Sequence, residues 1–203
     1  MSFAFASCNE YGIVISADHC ITSTLSQGQQ YTATSTGKKL FLTPQGYGIT
    51  YTGCASVDGV PTPVIIQRTL SELDADMTLL DLFQQFTDKM AALLKENIIF
   101  IAAGYQDGEQ YVFSSSTQDP KVTRFAATCF SGESTLGKAL LDLLPIPYSD
   151  LTLQDHINLH RFITSTIAGL QSFSQQIPTV SADCDILVIG PEGVLFSDFS
   201  QLH

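Results

Sequence analysis

The sequence predicts an α+β fold in which two antiparallel β-sheets stack face to face between outer helix pairs, a four-layer αββα sandwich. The predicted elements run in the order strands, two helices, strands, two helices, strands. Most connections between neighbouring strands are too short for parallel crossovers, so antiparallel hairpins dominate. Hydrophobic residues make up 44% of the 203 residues, which suits one domain, residues 1–203, with helices covering both sheets.

The first part of the chain predicts two hairpins. Apolar and β-branched runs bounded by turn residues predict strands at Phe3–Cys8, Ile13–Ala17, Ile21–Leu25, Lys39–Leu42 and Tyr47–Thr52. The turns Asn9-Glu10-Tyr11-Gly12 and Thr43-Pro44-Gln45-Gly46 join the first two and the last two of these strands. The polar segment Ser26–Gly37 predicts a loop, because it is rich in glycine, glutamine and threonine.

Capping residues and apolar periodicity predict four helices, at Thr62–Leu73, from Thr78 onward, at Glu133–Leu144 and at Thr152–Phe173. Thr78 and Thr152 each precede a carboxylate by three residues, which is typical of a helix N-terminus. Strands are predicted at Ile98–Tyr105, Gln110–Ser115, Val122–Phe130, Ile186–Ile189 and Val194–Phe196. Short glycine-containing turns make hairpins of the first two and the last two of these strands.

The charge and the cysteines exclude several classes of protein. The net charge of −11 argues against nucleic acid and anionic membranes, because both attract basic patches. The five cysteines form no CxxC pair, so buried thiols in a reducing compartment are expected. No apolar run reaches the eighteen or so residues of a membrane span, and the apolar start lacks a basic region. A cytoplasmic location is expected.

The second residue supplies a candidate nucleophile. If Met1 is removed, Ser2 carries both a hydroxyl and a free α-amine. An α-amine has an unperturbed pKa of about 7.7–8.0, so it can accept the hydroxyl proton near neutral pH. Asp18, Lys39 and Gly53 follow at strand ends and supply a carboxylate, a cation and a backbone N–H for amide hydrolysis.

The spacing of these residues resembles the proteasome β-type subunits, and the chain is identified as a divergent bacterial-type member of that N-terminal nucleophile (Ntn) hydrolase family. The motif is Gly12-Ile-Val-Ile-Ser-Ala-Asp18, then Thr22, Lys39 and Gly53-Cys-Ala-Ser-Val-Asp58. In the family the nucleophile lies sixteen residues before the aspartate, which corresponds to Ser2. The lysine lies fourteen residues before the oxyanion glycine, which corresponds to Lys39 and Gly53.

The resemblance implies a role for each matched residue. Lys39 stabilises the developing alkoxide, Asp18 orients Lys39, and the Gly53 N–H binds the oxyanion. Ser131, and also Ser181, hydrogen-bond the Ser2 amine and order a water, although either serine also suits a helix N-cap. The specificity pocket, which favours an uncharged substrate residue, is lined by Ile21, Thr22, Tyr51 and Ala55.

The chain departs from the family pattern at two places. Serine replaces the usual threonine nucleophile. The family's second aspartate has no counterpart in Gly169–Ser181, where Pro178 occupies its position and Asp183 is a candidate substitute. The segment between Asp18 and Lys39 is also about five residues longer than usual.

Two other functions stay open: a non-catalytic ring or scaffold subunit, and an Ntn hydrolase or acyl transferase acting on a small amide. The resemblance implies a peptide or amide substrate, a homo-oligomer that forms a ring, and an ATP-dependent unfoldase as partner. No cofactor is implied. His156 and His160 lie four residues apart on a predicted helix, but no third ligand is spaced to complete a metal site, so none is expected.

Overall fold

The computed structural model describes residues 2–24, 30–34, 36–144, 146–174 and 177–199. Within these residues the α-helices are α1 (Thr62–Ser71), α2 (Leu79–Leu93), α3 (Ser134–Leu143) and α4 (Leu153–Phe173). The first strands are β1 (Phe3–Asn9), β2 (Gly12–Asp18), β3 (Ile21–Thr24), β4 (Gln30–Thr34), β5 (Leu40–Leu42), β6 (Gly48–Thr52), β7 (Ser56–Val57) and β8 (Val60–Pro61). The later strands are β9 (Ile99–Gln106), β10 (Glu109–Ser116), β11 (Thr123–Phe125), β12 (Thr128–Gly132), β13 (Cys184–Gly190) and β14 (Gly193–Asp198).

Two five-stranded sheets organise the described residues. The first sheet has the order β12-β1-β2-β13-β14, and the second has the order β11-β10-β9-β6-β5. Neighbouring strands are antiparallel in both sheets. The predicted combination of antiparallel sheets and four α-helices is therefore confirmed. None of these helices is long and apolar enough to cross a membrane.

Apolar clusters join the sheets to each other and to the helices. One buried cluster combines Ala4 and Ile15 of the first sheet with Ile101 and Val112 of the second. A second cluster joins the second sheet to α1 and α2, and a third joins the first sheet to α3 and α4. Burial of apolar surface on both faces stabilises each sheet by roughly 25 cal/mol per Å² removed from water.

Local sequence signals explain where the two long helices begin. The Thr78 hydroxyl accepts a hydrogen bond from the Asp81 N–H and caps α2. Thr152 and Asp155 form a complete capping box at α4, because each side chain accepts from the other residue's backbone N–H. Helix α1 has Pro61 as its N-cap residue and Pro63 in its first turn, where a missing N–H costs nothing.

Two predicted elements differ from the structure. The predicted strand Val122–Phe130 is two strands, β11 in the second sheet and β12 in the first. The chain crosses between the sheets at Ala126 and Ala127, whose carbonyls accept from the thiol and the N–H of Cys8. The predicted loop Ser26–Gly37 contains β4, which pairs with β3, while 25–29 and 35 lie outside the described residues.

A directional hydrogen-bond chain ties α4 to the first sheet. His156 Nε2 lies 3.2 Å from the Tyr148 carbonyl, which can only accept. The nearby Asn9 Nδ2 already donates both hydrogens to the Tyr148 and Leu151 carbonyls, so we assign the proton to His156 Nε2. Ser7 Oγ then donates to His156 Nδ1 at 3.0 Å and accepts from His160 Nε2 at 2.8 Å. Ser16 Oγ donates to His160 Nδ1 at 2.7 Å. These hydrogen bonds give all four ring nitrogens a partner while both imidazole rings are neutral.

We expect this pair of rings to make the fold sensitive to acid. Burial lowers the pKa of His156 and lowers that of His160 well below its usual range. The unfolded chain binds protons below about pH 6.5, whereas the folded chain does not until the lowered pKa is reached. Stability is therefore fully present above about pH 6.5 and falls below it, with a slope that approaches about 1.4 kcal/mol per pH unit for His160 and stays smaller for His156.

Urea unfolding between pH 8 and pH 5 measures this loss. The variant His160→Gln, which has one titrating ring fewer, is expected to show a shallower pH dependence than the unchanged protein at the same urea concentrations. Identical slopes for the two proteins would contradict the assignment of the acid sensitivity to His160.

Candidate active site

Ser2 lies at the edge of the first sheet, immediately before β1. Its side chain and backbone are buried, with 3% of the residue exposed. The Glu133 N–H donates to the Ser2 carbonyl at 2.7 Å, and β1 begins with Phe3 opposite Gly132. The pairing of β1 with β12 therefore fixes where the Ser2 hydroxyl stands. Met1 lies outside the described residues.

Lys39 reaches the same point from the second sheet, immediately before β5. Its Nζ donates to Ser2 Oγ at 2.8 Å, to Asp18 Oδ1 at 2.8 Å and to the Cys20 carbonyl. Lys39 is 2% exposed, so these bonds form away from bulk water. The neighbouring Lys38 instead places its Nζ 5.1 Å from the centre of the Phe41 ring.

Asp18 is the fully buried counter-ion of Lys39. It ends β2, and its Oδ1 also accepts from the Phe3 N–H at 2.8 Å. Its Oδ2 accepts from the N–H groups of Cys20 at 2.8 Å and Ser181 at 3.1 Å. A buried carboxylate needs such compensation, because removing an ion from water costs several kcal/mol.

Within the described part of the chain, neither Gly53 nor Ser131 has a hydrogen bond to the Ser2 side chain. Gly53 follows β6 with a φ of 137°, and a Cβ there would lie 2.8 Å from the Asn97 carbonyl, so the position requires glycine. The Ser131 hydroxyl accepts from Thr52 Oγ1 at 3.0 Å, and no Ser131–Ser2 hydrogen bond is present among the described residues. The oxyanion role of Gly53 and the amine-binding role of Ser131 stay predictions.

The four predicted specificity residues differ in exposure. Ile21, Thr22 and Ala55 are half-buried. Tyr51 is 2% exposed, packs with Phe41 and belongs to the cluster that joins the second sheet to α1 and α2. Burial raises the Tyr51 pKa, and the nearby Asp18 charge raises it further. Tyr51 therefore stays a neutral phenol, and its contact with substrate stays a prediction.

The structure places the predicted Ser181 and Asp183 away from the Ser2 hydroxyl and adds one pair that the sequence analysis did not single out, Asp185 and His19. Ser181 Oγ accepts from the His19 N–H at 2.8 Å and donates to the Asp183 carbonyl at 2.8 Å. Asp183, the candidate substitute carboxylate, is exposed. Two residues later, Asp185 is 2% exposed, and its Oδ1 lies 2.8 Å from His19 Nε2. Asp185 precedes an apolar strand run, which was the only sequence signal for a buried carboxylate.

Buried thiols do not compete with Ser2 as nucleophiles. Burial raises the pKa of Cys184 to about 11 and that of Cys129 to about 12, and it also raises that of Cys8. A thiol is reactive as the thiolate, which these environments disfavour. The described site is therefore a buried hydroxyl that accepts from a buried lysine, which is itself paired with a buried carboxylate, where the two sheets meet.

The fold is that of a known group of structures. Anbu from Hyphomicrobium sp. strain MC1 matches with a TM-score of 0.67 and 20% identity, over 97% of this chain and 86% of that chain. A mutant of Anbu from the same strain matches with a TM-score of 0.69 and 17% identity, over 98% and 87%. No protein-family model matches the chain, and no curated protein does.

These comparisons correct the assignment made from the sequence. The sequence assigned the chain to the proteasome β-type subunits, whereas both solved structures reported above are of Anbu. At 17–20% identity the likeness shows the fold alone. The motif that suggested the family covers strand β2, Thr22, Lys39 and the segment Gly53–Asp58, which is a small part of the chain.

Proposed function

We propose that this chain is an Ntn amidohydrolase that cuts peptide or related amide bonds through Ser2 after removal of Met1. The hydrogen bonds of Lys39 carry the proposal. Its Nζ has three acceptors, Ser2 Oγ, Asp18 and the Cys20 carbonyl, which match the three N–H bonds of an ammonium. Lys39 therefore serves as a donor to Oγ and not as the base that deprotonates it.

The base is then the α-amine of Ser2 itself. Its ordinary pKa of about 7.7–8.0 leaves part of it neutral near pH 7. The neutral amine takes the proton from Oγ, directly or through one water, while the Lys39 ammonium stabilises the negative charge that develops on the oxygen. Asp18 balances the ammonium and holds its direction.

The reaction proceeds in two balanced steps. Oγ attacks the carbonyl carbon, and the tetrahedral oxyanion accepts a hydrogen bond from the Gly53 N–H. The carbon–nitrogen bond then breaks, the leaving amine takes the proton from the Ser2 α-ammonium, and an ester remains on Oγ. Water gives a proton to the same amine and attacks that ester, the carbon–Oγ bond breaks to release the acid, and the resulting α-ammonium returns the proton to Oγ.

The proposal also includes the arrangement of the helices around the two sheets and the assembly of several copies of the chain. We place α1 and α2 outside the second sheet and α3 and α4 outside the first, a four-layer αββα sandwich, which the separate apolar clusters support. We also place the chain in a cytoplasmic homo-oligomer. Large exposed apolar side chains, among them Phe162, Phe173 and Leu195, support contacts between copies.

An α,β-epoxyketone peptide tests the function, because it forms a ring with an amine and a hydroxyl of one residue. We expect intact mass spectrometry to show loss of Met1, and peptide mapping to place the adduct on Ser2. Retained Met1 with no adduct would favour the non-catalytic subunit. Parallel assays with peptides and small amides separate a peptidase from an enzyme that acts on small amides.

A further inference from the structure

The backbone corner at the end of β2 holds two of the three groups that bind Lys39. These are the Asp18 carboxylate and the Cys20 carbonyl, and His19 lies between them in the chain. The ladder between β2 and β13 ends at Asp18 opposite Cys184. Beyond that point, a backbone bond, from the Gly37 N–H to the His19 carbonyl at 2.8 Å, and several side-chain bonds position the corner formed by residues 18–20.

Asp185 supplies a bond that reaches this corner from β13. Its register places it opposite Ala17, one residue before Asp18. The Asp185 carboxylate bonds His19 Nε2 at 2.8 Å, and both residues are less than a tenth exposed. Since β13 lies between β2 and β14 and is hydrogen-bonded to both, Asp185 anchors the imidazole to an interior strand of the first sheet.

Further hydrogen bonds link the residues of this corner to one another and to Ser181. The His19 N–H donates to Ser181 Oγ, and the Ser181 N–H donates to Asp18 Oδ2. The Cys20 N–H also donates to Asp18 Oδ2. A rotation of His19 would consequently move the carboxylate and the carbonyl that bind Lys39.

We propose that Asp185 and His19 are positioning residues, which hold the corner so that the Lys39 ammonium points at Ser2 Oγ. The inference rests on the proposed function and assigns to it two residues that never touch substrate. Without the anchor, the two acceptors shift and the ammonium follows them. Misplacing a catalytic group by about 1 Å can cost about 100-fold in rate.

Substitutions at Asp185 separate positioning from general stability. We expect Asp185→Ala to lower kcat at least about tenfold with KM nearly unchanged, because it misplaces a group without altering substrate contacts. Asp185→Asn is expected to recover most of kcat, because its amide oxygen still accepts from His19. The matched control is Ser7→Ala, which removes another buried hydroxyl network and is expected to lower stability with kcat unchanged.

Chemical rescue gives a readout that a purely structural role would not move. His19 and Ser181 line a cavity of about 940 Å³, which is large enough to admit free imidazole. We expect imidazole to restore part of kcat to His19→Gly and to leave Ser7→Ala unaffected. Failure of imidazole, together with wild-type kcat in Asp185→Ala, would overturn the positioning role.

A measurement independent of activity separates this inference from the proposed function. Protein labelled with ¹⁵N-lysine should show one slowly exchanging ammonium signal from the buried Lys39, and Asp185→Ala should lose it. An inactive protein whose signal is lost in Asp185→Ala would contradict the hydrolase and support the positioning. If the protein is active and Asp185→Ala keeps both the ammonium signal and kcat, the result would support the hydrolase and contradict the positioning role.

Discussion

Replacing Ser2 with alanine is expected to abolish amide hydrolysis while the protein stays folded. The substitution removes the oxygen that attacks the carbonyl, and loss of a nucleophile costs about 10⁴-fold or more in other hydrolases. Asp18 and the Cys20 carbonyl still bind Lys39, so the cluster loses one hydrogen bond, about 1 kcal/mol of stability. Steady-state turnover of a fluorogenic amide, followed with urea unfolding, measures both effects.

A second buried serine of the same chain supplies the control. Ser7 is fully buried on β1, and its hydroxyl bonds His156 and His160 instead of Lys39. Ser7→Ala is expected to lose stability and keep turnover, whereas Ser2→Ala is expected to lose turnover and keep most stability. Full turnover in Ser2→Ala would remove this hydroxyl from the mechanism and leave the buried lysine without a catalytic task.

The parts of the fold that could be predicted are those that local sequence determines. Hairpins follow from glycine-containing turns, and α2 and α4 begin at Thr78 and Thr152 because each threonine caps a helix with an aspartate three residues later. The split of Val122–Phe130 could not be predicted in this way. No glycine or proline interrupts the segment, and the crossing at Ala126 and Ala127 is held by tertiary bonds from Cys8 to their carbonyls.

The candidate site likewise has a part that local sequence predicts and a part that it does not. Ser2, Asp18 and Lys39 fall within the first forty residues, where strand ends and spacing indicate them, and the structure brings these three side chains into contact. Asp185 meets His19 from 166 residues away. That meeting depends on the pairing of β13 with β2, a register that is set by whole-sheet packing and leaves no local pattern.

Gly132→Ala is expected to be among the most damaging single changes outside the reacting groups. Gly132 has a φ of 98°, a backbone conformation that side chains rarely adopt. A Cβ there would lie far inside 3.0 Å of the Ser2 carbonyl oxygen, which is backbone and cannot swing away. Either β12 separates from the start of β1, or Ser2 moves and its hydroxyl leaves Lys39. Both outcomes reduce turnover by about 100-fold or more.

Gly46→Ala is the control that introduces backbone strain without a steric clash. Gly46 has a φ of 86°, close to that of Gly132, but a Cβ there meets nothing within 4 Å. Strain alone is expected to cost about 1–2 kcal/mol in Gly46→Ala and to leave turnover unchanged. Urea unfolding and turnover of both variants give the comparison. If Gly132→Ala matches Gly46→Ala in both measurements, then Ser2 tolerates displacement, and the close pairing of β1 with β12 is not what aims its hydroxyl at Lys39.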